Sequence, residues 1–309
     1  MKKITLLFIT KDRSEQLERS THYLIKELKN KVNLILWHDH GALPHILTLL
    51  PMKPEFILLN DFHPTYCPFI KAIKDVDIPV GCLMHDIHYK TERRRKFLKE
   101  EQIDYVFPHY RDAFLRSFPE FEERMVWFPH HVPTELFKDY QLEKSIDYLF
   151  IGAAIRHVYP LRAIWIDKLK HEKGFVMYGH PGYRKQTFCS KRDMVAENYA
   201  KEINRAKMLF TCHSKYEYPV LKYFETAACH TLLMANGSQE LNDLGFVDGE
   251  TFVEINEKNV VEKARAYLRD DEKRRKISLR AYNMVRARHS TEKRASELVE
   301  FIEKISHSR

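Results

Sequence analysis

Short apolar runs and amphipathic stretches alternate along the whole chain. This order is typical of βαβ units, in which helices cover both faces of a parallel sheet. Helices are predicted between the runs, for example over Ser14–Leu28 and Thr91–Glu101. In the first half of the chain the predicted strands are Ile4–Ile9, Val32–Trp37, Glu55–Leu59, Pro79–Met84, Asp104–Phe107 and Met125–Phe128.

A second series of strands begins at Ile146–Gly152 (IDYLFIG) and continues with FVMYG, KMLFT, TLLMA and TFVEI. Between the two series lies the polar stretch Pro133–Ser145, where the hydrophobic periodicity lapses and a hinge is expected. The pattern therefore predicts an α/β protein with two Rossmann-like lobes, over residues 1–138 and 139–289. Residues 290–309 hold a capped amphipathic helix, Thr291–Ile305, which need not belong to the second sheet and is free to pack back on the first lobe.

The composition excludes several classes of protein. With 309 residues, 44% of them hydrophobic and only 9 glycines, the chain is neither disordered nor collagen-like. Lys and Arg (51) exceed Asp and Glu (43), for a net charge of +8. Such an excess favours an anionic ligand, a nucleic acid or an acidic membrane surface, and does not choose among them.

The N-terminal segment and the cysteines bear on location. The first apolar run stops at Lys11 after six or seven residues, which is too short for a secretory signal, and no run approaches the roughly 18 apolar residues of a membrane span. The five cysteines show no C-x-x-C or zinc-ribbon spacing. We therefore expect a cytoplasmic protein without a transmembrane segment.

Ligands of open parallel sheets bind beyond the carboxyl ends of the strands. The loop after IDYLFI carries Gly152 and Arg156, and Arg162 begins the next helix. Glycine permits close backbone approach and guanidinium groups suit phosphate oxygens, but a turn with solvated arginines fits this loop equally well. Neither a G-x-G-x-x-G nor a P-loop sequence is present.

A more specific pattern is the stretch KYEYPVLKYFETAACH, in which seven residues separate Glu217 from Glu225. Pro219 can start a helix, and Lys222 and Glu225 then share one helical face. An ammonium and a carboxylate on one face suit a ligand that combines a phosphate with a diol. The alternative is a surface Lys/Glu pair of little consequence.

The second series of strands resembles the donor-binding lobe of GT-B glycosyltransferases in the order of its motifs. These are, in chain order, a strand with a glycine loop, EINRAKMLF, E-x7-E, ACHTLLMA, NGSQELNDL and TFVEI. The series looks most like the CgeB-like (spore maturation) relatives of the group 1 enzymes. FPHHVPTELF and RHSTEKRASELVEFI extend the resemblance to roughly residues 125–305. It implies two lobes facing a central cleft and a hexosyltransferase-type activity on a nucleotide-diphosphate sugar, with a UDP-linked donor favoured.

The resemblance also implies roles for particular residues. Glu225 would hold the ribose hydroxyls, and Lys222 and Arg162 would neutralise the diphosphate, with Arg156 as a second phosphate ligand. Glu217 and the backbone near Tyr218 would meet the sugar or the diphosphate. The sequence departs from the usual pattern at Cys229-His230, where a Cys-Gly or Gly pair is common, and at Asn236-Gly237.

Fixed cations and a helix N-terminus can stabilise the departing diphosphate, so we expect neither a metal nor another cofactor. The Asp75-Val76-Asp77 triplet precedes a strand and is interpreted as a solvated turn. Three histidine pairs follow strands but lack the spacing of a known metal motif. These are His38/His40, His85/His88 and His130/His131.

The HDIH segment is the candidate for acceptor chemistry. Asp86 or His85 is placed to take the proton of an acceptor hydroxyl, while a histidine that caps a helix or satisfies a buried carbonyl is an equal alternative. E-x7-E resembles retaining families, whereas a working Asp86 would favour inversion. The stereochemistry stays open.

Two clusters of charge are interpreted as solvated helix surfaces, Arg93–Lys96 and Arg269–Lys276. The first lies near the expected acceptor side, so an anionic acceptor is considered beside a carbohydrate, and a nucleic acid is a minor possibility. The alternatives to a glycosyltransferase are a GT-B-like epimerase or phosphorylase, and a nucleotide-sugar or nucleic-acid binding protein without turnover.

Overall fold

A computed structural model describes residues 3–182 and 194–307. Of these, residues 3–14, 18–129 and 291–307 form one compact unit, here called the N lobe. Residues 15–17, 130–182 and 194–290 form the second, the C lobe. The chain thus re-enters the N lobe with its last helix.

The strands are short and mostly buried. Within the described residues they are β1 (Thr5–Ile9), β2 (Asn33–Trp37), β3 (Gly41–Ala42), β4 (Phe56–Leu59), β5 (Ile70–Lys71), β6 (Val80–Met84), β7 (Tyr105–Pro108), β8 (Ile146–Ile151), β9 (Phe175–Tyr178), β10 (Ala206–Phe210), β11 (Leu232–Ala235) and β12 (Val253–Glu254).

The helices between them vary from one turn to five. They are α1 (Ser20–Lys31), α2 (Leu43–Thr48), α3 (Thr91–Glu100), α4 (Arg111–Ser117), α5 (Pro160–Leu169), α6 (Ala196–Asn204), α7 (Lys222–Ala228), α8 (Gln239–Asp243), α9 (Val260–Arg269), α10 (Asp271–His289) and α11 (Thr291–His307). Short 3-10 helices cover Ile73–Asp75 and Pro119–Arg124.

Each lobe is built on a parallel five-stranded sheet. The order is β2-β1-β4-β6-β7 in the N lobe and β12-β11-β10-β8-β9 in the C lobe. In the N-lobe sheet β1 lies between β2 and β4, and in the C-lobe sheet β8 lies between β9 and β10, so the strand order reverses beside the first strand of each sheet. The short strands β3 and β5 pair with each other in a separate sheet. The prediction of two Rossmann-like parallel sheets is confirmed.

The core of each lobe lies between its sheet and its helices. In the N lobe, Leu24 and Leu28 of α1 and Leu298 and Ile302 of α11 are buried against the strands. Phe301 of α11 adds edge-to-face contacts with the aromatic rings of β7. The C lobe has its own cluster, which includes Trp165, Phe150 and Phe210.

Two predicted elements differ from the structure. The first helix begins at Ser20 rather than Ser14, because the Asp12 carboxylate accepts the Ser14 N–H and the Glu18 carboxylate accepts the Ser20 N–H, which favours a loop before it.

The strand predicted over Met125–Phe128 is wrong. Only an isolated bridge joins Met125 to Val106, and Val126 and Phe128 donate single backbone bonds to the last strand of the N lobe. Pro108 of that strand has no N–H to donate, so the ladder cannot continue.

Candidate functional site

The C lobe presents its site where the strand order reverses, between β8 and β10. Parallel sheets leave a crevice at the carboxyl ends of such a pair. Gly152 follows β8 directly and has a φ of 112°, a conformation that glycine adopts without strain. Thr211 and Cys212 follow β10 and are fully buried.

Arg162 bridges the two strand ends from the first turn of α5. Its guanidinium donates to Ala153 O at 2.5 Å on one side, and to Thr211 Oγ1 at 2.9 Å on the other. The ring of Tyr159 lies 4.1 Å beneath it. The side chain is almost completely buried, and its Nε has no hydrogen-bond partner within the described residues. The sequence thus places a fixed, desolvated cation in the crevice.

Lys222 and Glu225 meet through Tyr199. The Lys222 ammonium donates to the Tyr199 hydroxyl at 2.8 Å, and that hydroxyl donates to Glu225 Oε2 at 2.7 Å. Tyr199 lies on α6, whereas the other two residues occupy the first turn of α7, as their spacing predicts. The chain of bonds holds ammonium and carboxylate in one orientation.

The glycine loop after β8 lies beside these side chains. We call the five residues Gly152, Arg162, Tyr199, Lys222 and Glu225 the donor cluster. A Cβ added at Gly152 would lie 3.5 Å from the Lys222 Nζ and 3.9 Å from an Arg162 nitrogen. Both cations therefore face the same loop backbone. Four of the nine predicted site residues converge here, and a side chain at position 152 would narrow the space before the cations.

The electrostatics of the donor cluster suit an anion. Burial and, secondarily, the nearby Arg162 lower the pKa of Lys222 to about 8, although Glu225 opposes the shift. His180, which follows β9, has its pKa lowered by burial and by the charges of Lys222 and Arg162. A negatively charged ligand would relieve this repulsion.

Three other predicted site residues are not members of the donor cluster. Arg156 is exposed and forms an ion pair with Asp167 at 2.9 Å, on the surface rather than in the crevice. Glu217 is exposed, with a left-handed backbone (φ 62°) whose N–H donates to Ser214 O. Tyr218 is buried and stacks on Tyr216 at 5.4 Å. The structure does not place Arg156 beside Arg162 and Lys222.

In the N lobe, His85 is held on both sides of its ring. Its Nε2 lies 2.8 Å from Asn60 Oδ1, and its Nδ1 lies 3.0 Å from Nε2 of the buried His109. Tyr66 stacks on the same ring at 4.2 Å. A ring whose two nitrogens are engaged suits a structural role better than that of a base.

Asp86 differs from His85. Within the described residues its carboxylate makes no hydrogen bond, and burial raises its pKa, with the charge of Asp61 adding to the shift and that of His88 opposing it. A half-buried carboxylate with a raised pKa has more affinity for a proton than a solvated one.

Asp61 and Arg94 hold the loop that carries these two residues. Both are fully buried, and their side chains pair at 2.5 Å. Asp61 also accepts the His85 N–H at 2.7 Å, and Arg94 donates to Asp86 O at 3.2 Å. Asp61 has a φ of 73°, unusual for a residue with a side chain. The pair fixes the backbone at the end of β6.

The two charged helix runs are therefore not uniformly solvated. Arg94 is wholly buried, and Arg274 is only 6% exposed and donates to Tyr267 O. Each arginine is drawn inward because backbone carbonyls or a carboxylate satisfy it there. The solvated-surface interpretation is wrong at these two positions.

Sequence reasoning missed Tyr199, His180, Asp61 and His109. Three of them stand within two residues of a strand end, where the rule on strand ends already points: Asp61 after β4, His109 after β7 and His180 after β9. Tyr199 lies inside a helix, 23 residues before Lys222, and no local signal marks it.

The described residues, 3–182 and 194–307, contain neither a metal-binding group nor a membrane-spanning helix. Among them, no three or more His, Cys, Asp and Glu side chains are grouped as a metal ion requires. In the same ranges, no helix combines the length and the apolar character needed to cross a membrane.

Comparisons with known proteins agree with this architecture. Residues 157–300, slightly less than half of the chain, match a family described as glycosyl transferase-like. No curated protein matches the sequence.

Solved structures match over almost the whole chain. Anabaena HepE in complex with UDP-glucose has a TM-score of 0.65 at 12% identity, over 97% of this chain and 100% of that one. Sucrose-phosphate synthase from Thermosynechococcus elongatus has a TM-score of 0.67 at 12% identity, over 99% and 100%. A Rickettsia africae glycosyltransferase has 0.60 at 10% identity, over 99% of each chain.

These matches define the class of fold. Its neighbours are GT-B glycosyltransferases, and the chain has the GT-B fold with two Rossmann-like lobes. The matched part of the C lobe, which includes Arg162, Lys222 and Glu225, is glycosyltransferase-like.

Proposed function

We propose that the protein transfers a sugar from a UDP-sugar to an acceptor hydroxyl without a metal ion. The observation that carries the proposal is the convergence of Gly152, Arg162, Lys222 and Glu225 at the point of the C-lobe sheet where the strand order reverses. Glycosyltransferase structures bound to UDP and to UDP-glucose share the fold, which favours this donor class.

Each member of the donor cluster has a distinct task in this proposal. Glu225 accepts hydrogen bonds from the ribose hydroxyls, and Tyr199 orients its carboxylate. Lys222 and Arg162 hold the diphosphate, while Gly152 leaves room for the phosphates to approach the backbone. Glu217 and the backbone near Tyr218 contact the sugar or the diphosphate.

In this proposal, electrostatic stabilisation of the leaving diphosphate accelerates the transfer. Breaking the anomeric C–O bond leaves the electron pair on the departing diphosphate and positive charge on the sugar. Arg162 is already fixed by three acceptors before reaction, so no reorganisation is needed to stabilise that charge. Two cations then perform the charge neutralisation that a metal ion performs elsewhere.

On the acceptor side we propose Asp86 as the general base. Its carboxylate takes the hydroxyl proton while the hydroxyl oxygen forms the new bond to the anomeric carbon. The raised pKa brings it closer to the pH of the cell, and the engaged ring of His85 supports the loop instead. A direct displacement with Asp86 as base inverts the anomeric centre.

The finer assignments are proposals of the same kind. The E-x7-E spacing supports a CgeB-like, hexosyl-transferring member of the group, although Cys229-His230 departs from its usual pattern. Cys67, Cys82, Cys212 and Cys229 are buried free thiols, which supports the cytoplasm as location, whereas Cys189 lies outside the described residues.

The proposal is tested by titrating UDP-glucose and other nucleotide sugars into the protein in a calorimeter. Glu225→Ala should weaken donor binding ten-fold or more, since charged hydrogen bonds contribute about 1.5 to 3 kcal/mol each. Glu262→Ala, at an exposed glutamate in the first turn of α9, is the matched control and should bind as the unmodified protein does.

Equal dissociation constants for Glu225→Ala and Glu262→Ala, with both variants folded, would remove Glu225 from the site. Failure of every nucleotide sugar to bind, or binding without any product from any acceptor, would refute the proposed transfer.

A further inference from the structure

A second cavity opens at the opposite end of the C-lobe sheet from the donor cluster. It has a volume of about 720 Å³, within the usual range for sites of small molecules. It lies at the amino ends of β8 and β10, because Lys144 stands just before the first and Lys207 near the start of the second. Its lining includes Lys144, Lys207, His230, Arg275, Lys276 and Leu279.

The lining carries five lysine and arginine side chains against three carboxylates. Asp139 pairs with His230 at 2.8 Å, and Asp271 pairs with Arg275 at 2.7 Å and also with Arg274. Lys207 pairs at 2.6 Å with Asp147, a residue outside the lining. Lys144 and Lys276 make no ion pair within residues 3–182 and 194–307. Five cationic side chains thus stand against four carboxylates when Asp147 is included, and the cavity keeps a small excess of positive charge at Lys144 and Lys276.

Lys144 is the built feature of this cavity. Its ammonium donates to His230 O and to Thr231 Oγ1, both at 3.0 Å, and its third N–H has no acceptor among the described residues. Burial lowers its pKa to about 8, with Asp139 opposing the shift. Two neutral acceptors fix the position of the charge without neutralising it, which leaves a donor for an anion.

The cavity also offers an apolar surface. Leu279 of α10 is 47% exposed, and Leu142 lines the same space. A ligand that suits both features carries a compact dianion on a small organic body.

We propose that this cavity binds a phosphate monoester of sugar size through Lys144, Arg275 and Lys276. Phosphate oxygens accept hydrogen bonds from ammonium and guanidinium groups, and the organic part lies against Leu279. The site is separate from the donor cluster, although the two helices that carry Tyr199 and Lys222 begin at that cluster and end on the side of this cavity. The inference does not rest on the proposed transfer.

The test is calorimetry with glucose 6-phosphate, and with glucose as the uncharged control, at low ionic strength on the full chain. Lys144→Met should raise the dissociation constant of glucose 6-phosphate about ten-fold or more. Lys170→Met removes the same charge from an exposed residue that pairs with Asp167, and should leave that constant unchanged. Glucose should bind much more weakly than its phosphate.

Two further variants keep the result decisive. Arg275 is 77% exposed, so Arg275→Gln preserves the fold and should also weaken binding. Lys222→Met disables the donor cluster and should leave glucose 6-phosphate binding intact. The proposal is overturned if no binding occurs, if glucose binds equally well, or if only Lys222→Met abolishes it.

Discussion

Burial makes the charge of Lys222 depend on pH near pH 8. Its ammonium lies between Arg162, which repels it, and the Tyr199–Glu225 pair, which holds it. Removal from water disfavours the charged form more strongly than Glu225 favours it, and the pKa is lowered to about 8. Binding of an anion must raise that pKa again, because the ligand attracts the protonated form.

This linkage predicts the pH dependence of donor binding. Below pH 8 Lys222 is charged with or without ligand, so the dissociation constant of UDP-glucose should be flat. Above pH 8 the free protein loses the proton that binding requires, and the constant should rise up to ten-fold per pH unit. Calorimetry from pH 6.5 to 9.5 measures it.

Lys222→Gln serves as the control for that titration. It should bind UDP-glucose more weakly at pH 7 and lose the rise above pH 8. If the rise persists in the variant, another group is responsible for it.

His230 occupies a position that usually belongs to glycine. It follows α7 with a φ of 53°, the left-handed conformation that ends many helices. The histidine is held there because its ring pairs with Asp139 at 2.8 Å and its carbonyl accepts from Lys144. The left-handed backbone at His230 is thus compensated by neighbouring charge.

His230→Ala should destabilise the protein by about 1 kcal/mol more than His230→Gly. Both variants lose the contact with Asp139, but only alanine retains the left-handed strain. Urea unfolding compares the two directly. Equal stabilities would mean that the backbone at this position relaxes without its side chain.

Among the elements, α11 has the least predictable role. Its apolar face packs with α1, and Ala295, Leu298 and Ile302 are buried in the N-lobe core. The sequence predicts the helix and its apolar face, but not the surface that the face covers, because any lobe with a complementary groove would satisfy the same pattern.

Leu298→Ala should lower the free energy of unfolding by about 2 to 5 kcal/mol, as expected for a cavity in a core. Hydrogen exchange should accelerate in β1, β4 and β6, and stay unchanged in β8 and β10. Leu49→Ala, at a residue 58% exposed in the N lobe, should change stability by less than about 0.5 kcal/mol. Faster exchange confined to β8 and β10 would contradict this placement of α11.

Most strands were predictable because alternation of apolar runs with helical periodicity is a local signal. The predicted strands over Ile4–Ile9, Pro79–Met84 and Ile146–Gly152 agree with the structure within one residue at each end. The strand at Met125–Phe128 failed because strand formation also depends on a partner with free donors, and Pro108 offers none.

For the molecule as a whole, both lobes repeat one strand order, so each has an equivalent crevice beside its first strand. The two crevices differ in chemistry. The crevice beside β8 is lined by the cations of the donor cluster. In the N lobe, Asn60 donates to Thr10 and Thr21, and the buried Arg94 is paired with Asp61. A diphosphate should therefore bind in the C lobe.

Hydrogen exchange in the presence of UDP-glucose tests this assignment. Protection should appear in residues 152–162 and 211–225 and be absent from the loops that follow β1 and β4. At the same donor concentration, Glu225→Ala should show little protection. Protection confined to the N lobe would reverse the assignment of the two lobes.

The chain's order of apolar and polar positions was enough to predict the α/β fold class, the strand ends that the candidate site follows and the shared helical face of Lys222 and Glu225. These depend on residues within a few positions of one another. Only the tertiary structure decided the hydrogen-bond partners of the charged residues. Tyr199 links Lys222 to Glu225, Asp61 pairs with the buried Arg94, and three acceptors surround Arg162. A charge is buried or solvated according to groups that strand order brings together from distant parts of the chain, and no local pattern records that order.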